Sequence, residues 1–224
     1  SDVSFAIFSN KEGSVGQVYY ASKAMTKLLG QNSDSIMTMN ILKNSPPCFR
    51  DFYFEAHKMV AKGGEQVLDG VIRRDFVYNG QRYLVEADMY TNIHPFVTGE
   101  FYVNFVQRIV KSDKEYMYIL EDGSIDCTTQ GIGEKLGLLN GKLRNNKVNI
   151  REINEKFEEI NRMINDIVDK EGKLEADEEK EGVVLRLKKI GYEGYVSYKC
   201  SVKNIDPRCT KIVTLEPAED GEDF

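Results

Sequence analysis

The sequence predicts an α+β protein built twice over, each copy made of strands and helices in the same order. Three observations predict this. An acidic Gly turn, a short helix ending in Leu-Gly and an Asn-Ile step recur half a chain apart. They are Lys11-Glu12-Gly13-Ser14, Ala21 to Leu29-Gly30 and Met39-Asn40-Ile41, then Glu121-Asp122-Gly123-Ser124, Thr128 to Leu136-Gly137 and Val148-Asn149-Ile150. Each half also runs in one order: strand, strand, small helices, a longer helix, then three strands. Finally, 224 residues with 41% hydrophobic and 29% charged content suffice for two soluble domains of ordinary size. A repeat this long is a duplicated domain, not a solenoid unit.

In the first half, residues Val3 to Ser9 alternate and read as a strand, Lys11 to Gly16 as its turn, and Gly16 to Tyr20 as a second strand. Ala21, Ala24, Met25, Leu28 and Leu29 form one helical stripe, with Gly30 placed for a left-handed cap. Asn32 to Pro47 is irregular with short helical turns. Phe49 to Lys62 is an amphipathic helix whose expected apolar face is Phe49, Phe52, Ala56, Met59 and Val60, ended by Gly63-Gly64. Val71 to Tyr78 and Gln81 to Asn92 make a hairpin across Asn79-Gly80, and Glu100 to Val110 closes the sheet.

The second half replays this. Glu115 to Leu120 and Ser124 to Thr128 pair across Asp122-Gly123, and a short helix carries Ile132 and Leu136. Ile150, Ile153, Phe157, Ile160, Ile164 and Ile167 predict one long helix over Asn149 to Val168. Val183 to Lys189, Gly194 to Asn204 and Cys209 to Glu216 are the closing strands. The domains are accordingly residues 1–112 and 113–216, with a charged loop at 171–182 and an acidic tail at 217–224.

Net charge is -6 and pI about 5.2, which argues against a nucleic-acid surface. No apolar run approaches the roughly 20 residues of a membrane span, so no direct insertion by this segment is expected. The chain starts at Ser1 without Met or a signal peptide and is read as a piece of a larger polypeptide. Cys48, Cys127, Cys200 and Cys209 are scattered and read as free thiols in a reducing, cytoplasmic setting.

The order of elements resembles the PAS (Per-Arnt-Sim) fold, in tandem, and the resemblance implies for each copy a five-stranded antiparallel sheet with helices packed on one face. The residues that carry the resemblance are the Gly turns, the helices ending Leu29-Gly30 and Leu136-Gly137, the steps Asn40-Ile41 and Asn149-Ile150, and the hairpin at Asn79-Gly80. The first copy is similar to the PAS regions of large protist membrane proteins of the tiny macrocysts type. That similarity rests on Asn40-Ile41, Ser45-Pro46-Pro47 and Phe52-Tyr53-Phe54-Glu55-Ala56-His57. Ser45-Pro46 stands where that group has Met-Pro, and the second copy lacks the His. The resemblance implies a non-catalytic sensory or scaffolding module in a larger signalling or structural protein. It would lie in the cytoplasmic part of a membrane protein and act through protein contacts or self-association at its sheet faces. The alternative it implies is a small-molecule sensor with its ligand in a PAS cavity.

Candidate chemistry is sparse, and no catalytic, metal or cofactor residue is assigned. His57 is the sharpest candidate, because some PAS sensors hold haem iron through a helical His. Its bland reading is a surface or packing residue. Cys48 lacks the Asn and Gly ahead of it and the Gln beyond it that flavin-binding PAS variants use. Gly131-Ile132-Gly133 lacks the third Gly of a dinucleotide fingerprint. His57 and His94 lie too far apart for a zinc pair, and Glu158-Glu159 and Glu178-Glu179 read as solvated charge. Twelve Tyr and eleven Phe with no Trp favour sheet packing or a partner surface, among them Tyr83, Tyr90, Phe101, Tyr102, Phe105, Tyr192, Tyr195 and Tyr198.

Overall fold

A computed structural model describes residues 3–62, 70–95, 101–139, 143, 147–157, 183–204 and 211–218, with backbone alone at 47–48, 60–61, 93–95, 101–108, 183, 203–204 and 211. The chain divides into two compact units, Ser1–Lys111 and Ser112–Phe224.

Unit 1 contains β1 (Ser4–Ser9), β2 (Val18–Ala21), α1 (Lys23–Leu29), α2 (Ser33–Met37), a 3-10 turn (Ile41–Asn44), α3 (Pro47–Ala61), β3 (Ile72–Tyr78), β4 (Leu84–Pro95) and β5 (Phe101–Ile109). Its antiparallel sheet has the order β2-β1-β5-β4-β3, so the first strand pairs with the last. Unit 2 contains β6 (Glu115–Ile119), β7 (Ile125–Thr128), α4 (Gln130–Leu136), α5 (Ile150–Ile153), β8 (Val183–Lys188), β9 (Tyr195–Asn204) and β10 (Lys211–Pro217). Its sheet order, β7-β6-β10-β9-β8, is the same one. Both first strands carry a register shift at the same place, Ile7/Phe8 and Tyr118/Ile119.

Strand alternation buries one face of each sheet under the helices. Ala6, Phe8, Ala87 and Met89 pack with Met25, Leu29, Ile36 and Tyr53 in unit 1. Met117, Ile119, Cys200 and Leu215 pack with Ile132, Leu136, Ile150, Ile153 and Phe157 in unit 2. Ser22 caps α1 by accepting from the Met25 amide, and Gly30 ends it at φ 62 in the left-handed region.

The recurrent Asn-Ile step has a definite job. Asn40 Nδ2 donates to the Val15 carbonyl at 2.6 Å, while its Oδ1 accepts from the Leu42 amide at 3.1 Å. Asn149 does the same with the Asp122 carbonyl at 3.0 Å and the Arg151 amide at 3.1 Å. The backbone beside each closes a short bridge: Ile41 N to Gly16 O and Ile150 N to Gly123 O, at 2.8 and 2.9 Å. A Cβ on Gly16 would strike the Asn40 side chain, and one on Gly123 would approach Asn149 Nδ2 to 3.0 Å. Gly16, not Gly13, is therefore the counterpart of Gly123. Residues 10–15 intervene after Ser9 in the first turn, where only Glu121 and Asp122 follow Leu120 in the second. The Lys-Glu-Gly-Ser likeness to Glu-Asp-Gly-Ser is not a structural equivalence.

Two other expectations change. The Asn79-Gly80 step is not a two-residue hairpin, since pairing ends at Tyr78 and Leu84 and Asn79 Oδ1 accepts from the Gln81 and Tyr83 amides. Gly80 is required instead because a Cβ there would stand 2.6 Å from the Gly30 Cα, while its amide donates to the Leu28 carbonyl at 3.0 Å. Unit 2 repeats the dock: the Ile190 amide donates to the Leu136 carbonyl at 2.8 Å. The long helix expected from Asn149 stops at Asn154, which is extended at φ -152 and spends its side chain on the Arg186 carbonyl and the Lys156 amide. Its continuation, Ile160, Ile164 and Ile167, lies outside the described residues, as do Glu158-Glu159, the 171–182 loop with Glu178-Glu179, Gly63-Gly64, Cys209 and residues 219–224 of the tail.

Asn149→Ala should destabilise unit 2 by about 1–2 kcal/mol, because it removes a cap and the side-chain hydrogen bond to the Asp122 carbonyl beside the bridge at once. Urea unfolding checks this. An unchanged midpoint would mean that the bridge is incidental.

Candidate functional site

Helix α3 opens at Pro47, a residue suited to a first helical position. Its inward face is Phe49, Tyr53, Ala56 and His57, at spacings of four, seven and eight from the first. The expected face included Phe52 and Met59, but these are 56% and 53% exposed. The helix is rotated because Tyr53 and His57, amphipathic rings that a purely apolar stripe omits, find partners on the sheet.

Those partners come from β3. Alternation turns Ile72, Arg74 and Phe76 outward, where Arg74 Nε pairs with Asp88 at 3.0 Å. It turns Arg73, Asp75 and Val77 inward, beneath α3. The Tyr53 hydroxyl donates to the Asp75 carboxylate, which also accepts from the Phe76 amide at 2.7 Å. The Arg73 guanidinium lies over the Tyr53 ring, 5.4 Å from its centre, and its Nη2 reaches Thr91 Oγ1 at 3.4 Å. Arg73 Nε and Nη1 are buried with no hydrogen-bond partner.

His57 is 3% exposed, with its ring edge-on to Phe8 at 5.2 Å and its Nδ1 buried and unpartnered. A cavity of about 20 Å³ separates these groups, walled by Phe8, Tyr53, His57, Arg73, Met89 and Thr91. Burial, aided by the Arg73 charge, pulls the His57 imidazole down to about 4. Burial pushes the Asp75 carboxyl up, against the Tyr53 and Phe76 hydrogen bonds and the Arg73 charge.

His57 is thus an interior residue with a supporting cluster. These residues do not fit a haem. The cavity is water-sized, and the adjacent guanidinium opposes a further cation at the imidazole. Arg73, Asp75 and Thr91 were not singled out from the sequence. The available signal was alternation through Ile72-Arg73-Arg74-Asp75-Phe76-Val77, which sets Arg73 and Asp75 on the face of Val77.

Unit 2 has no equivalent cluster among its described residues. Counted from the hairpin, β8 places Leu185 where β3 has Asp75, and β9 places Val202 where β4 has Thr91. Leu185, Leu187, Tyr198 and Cys200 fill that interior. Cys127 and Cys200 are buried, and burial pushes the Cys200 thiol up to about 12. Gly131-Ile132-Gly133 lies in α4, where Gly131 faces the Glu115 side chain. Of the strand aromatics, Tyr83 and Tyr198 are buried, while Tyr192 and Tyr195 are exposed. The side chains of Phe101, Tyr102, Phe105, Cys48 and His94 lie outside the described residues. Among the described residues, no three His, Cys, Asp or Glu are placed to share a metal ion, and no helix is long and apolar enough to cross a membrane.

No family model and no curated protein matches the chain. Among solved structures, the chain is similar to the PAS domain of a Desulfitobacterium hafniense protein, at 14% identity and a TM-score of 0.39, over 49% of this chain and 94% of that one. It is also similar to a PAS domain from a two-component sensor histidine kinase, at 9% and 0.37, over 48% and 85%. A third is a fungal LOV domain photoreceptor, at 21% and 0.35, over 47% and 74%. Likenesses this distant concern fold alone, and the repeated strand order carries the architecture without them.

Between pH 6.5 and about 4 the unfolded chain binds a proton at His57 that the folded unit refuses, so unit 1 loses stability as pH falls through that window. The loss should reach about 3 kcal/mol. Asp75, raised from 3.8, acts in the opposite sense near the acid end. His57→Gln should flatten the slope of unfolding free energy against pH. If the slope is the same in both proteins, His57 is not buried as described.

Proposed function

We propose that the chain is a PAS-type sensory module in which unit 1 holds a small polar ligand and unit 2 serves as a filled partner domain within a larger signalling protein. The observation that carries this reading is the contrast between the two interiors. The same strand order encloses a mainly apolar interior in one unit, where the buried atoms without partners include the Thr128 and Tyr198 hydroxyls, and in the other a guanidinium and an imidazole with unpartnered nitrogens. Buried polar groups without partners are costly to keep. A ligand or ordered solvent that completes them is the economical reason for their presence. The two units are proposed to fold as separate domains joined near residues 111–113, and calorimetry should then resolve two transitions. A panel of chloride, nitrate, acetate, glycine and inorganic phosphate tests the sensing site. At least one should raise the unit 1 transition in the wild type and leave Arg73→Gln unmoved. If none does, the sensing reading fails.

A second reading, contact through the outer sheet faces, is favoured by exposed aromatics. Tyr20 is 51% exposed, with its ring 5.6 Å from that of Phe5, and Tyr195 is 58% exposed. Tyr20→Ser or Tyr195→Ser should weaken self-association in sedimentation velocity and leave the thermal midpoint within a few degrees. A wild-type protein that stays monomeric at high concentration contradicts this reading.

A further inference from the structure

We infer that the cavity between α3 and β3 is a site for one water-sized monovalent anion, of which chloride is the simplest example. The inference deepens the reading of unit 1 as the sensing half and rests on it. Size comes first. A cavity of about 20 Å³ admits a single small particle, since one water needs at least about 10–15 Å³ by the same measure. Acetate and phosphate do not fit without movement of the walls.

Charge comes second. Arg73 presents a guanidinium, a cation with N–H donors and no acceptor. Two of its nitrogens, Nε and Nη1, are buried and unpartnered, and the third reaches only the neutral hydroxyl of Thr91. Asp75, on the same strand face, is engaged by the Tyr53 hydroxyl and the Phe76 amide. A water molecule would accept from one of these N–H groups but add no negative charge beside the guanidinium, where Asp75 already supplies one. An anion would do both.

The third argument is His57. Its Nδ1 is likewise buried, unpartnered and part of the cavity wall. A protonated imidazole would donate there to an anion, so anion binding and His57 protonation are coupled. The other groups around the cavity do not compete. Tyr53 serves Asp75, Asn44 Nδ2 donates to the Tyr78 carbonyl at 2.8 Å, Ser45 is uncharged, and Met89 and Phe8 are apolar. Anion affinity should therefore rise as pH falls toward about 4, where the folded protein takes up the His57 proton.

The test uses the whole chain. Unfolding is followed by calorimetry in sodium chloride and in sodium gluconate at equal ionic strength, at about pH 7.5 and about pH 4.5, the lower approaching the His57 value of about 4. Crystals grown in bromide are examined for anomalous scattering. Chloride should raise the unit 1 midpoint by at least about 2 °C over gluconate, and by more at the lower pH. Arg73→Gln should abolish the difference. His57→Gln should keep it and remove its pH dependence, which preserves the test if Arg73→Gln fails to fold. Bromide should lie within hydrogen-bond reach of Arg73, at Nε or at Nη1. Equal midpoints in the two salts, or no bromide in the cavity, would overturn the inference in favour of bound water. Bromide present without any chloride-specific shift would show an adventitious ion only, which also overturns it. If another probe of the panel shifts unit 1 and chloride does not, the anion size is wrong while the sensing site stands.

Discussion

Each unit depends on one short bridge, the hold that Asn40 takes on the turn before Gly16 and Asn149 takes on the turn before Gly123. The first two strands form a hairpin that by itself has no reason to send the chain to one face of the sheet. The bridge supplies it, fixing the start of the next helical turn against the hairpin backbone. The second fastening follows at the other edge, where a carbonyl at the end of α1 or α4 accepts from an amide of the turn between the third and fourth strands of its unit. Between these two fastenings the sheet and helices enclose a fixed volume. What fills it is left to the side chains.

The two units fill it differently. In unit 2, Leu185, Leu187, Cys200 and Val202 complete an apolar core whose stability comes from burial alone. In unit 1 the matching wall carries Arg73, Asp75 and Thr91, and the covering helix adds Tyr53 and His57. Tyr53 and Asp75 satisfy one another, while Arg73 and His57 retain unpartnered atoms. An incompletely satisfied polar network is less stable than an aliphatic core. Such departures from the rules of packing concentrate where a protein does something other than fold.

The element order and the left-handed cap at Gly30 were legible because each rests on local periodicity and on Gly at fixed places. The Asn-Ile step was visible as a repeat, yet its reason was not, since the groups it joins are separated by 25 or 27 residues. The likeness of the two acidic Gly turns misled, because turn length changed while composition did not. The site was less legible for a related reason. A stripe counted by hydrophobicity discards Tyr53 and His57, and an edge strand with two arginines and an aspartate looks solvated. Only the pairing of that strand with its neighbour under α3 shows that every second charge turns inward. Asn154, which ends the helix after Ile153, is ordinary helix sequence until Arg186 is brought opposite.

The central claim is that His57 is a neutral, interior imidazole facing Arg73. Proton NMR titration of the imidazole resonances tests it most directly, for the chain has only two histidines and His57→Gln assigns them. In gluconate buffer the His57 signals should titrate near 4. A midpoint near the ordinary value of about 6.5 would place the ring in solvent and remove the polar interior on which the functional reading stands.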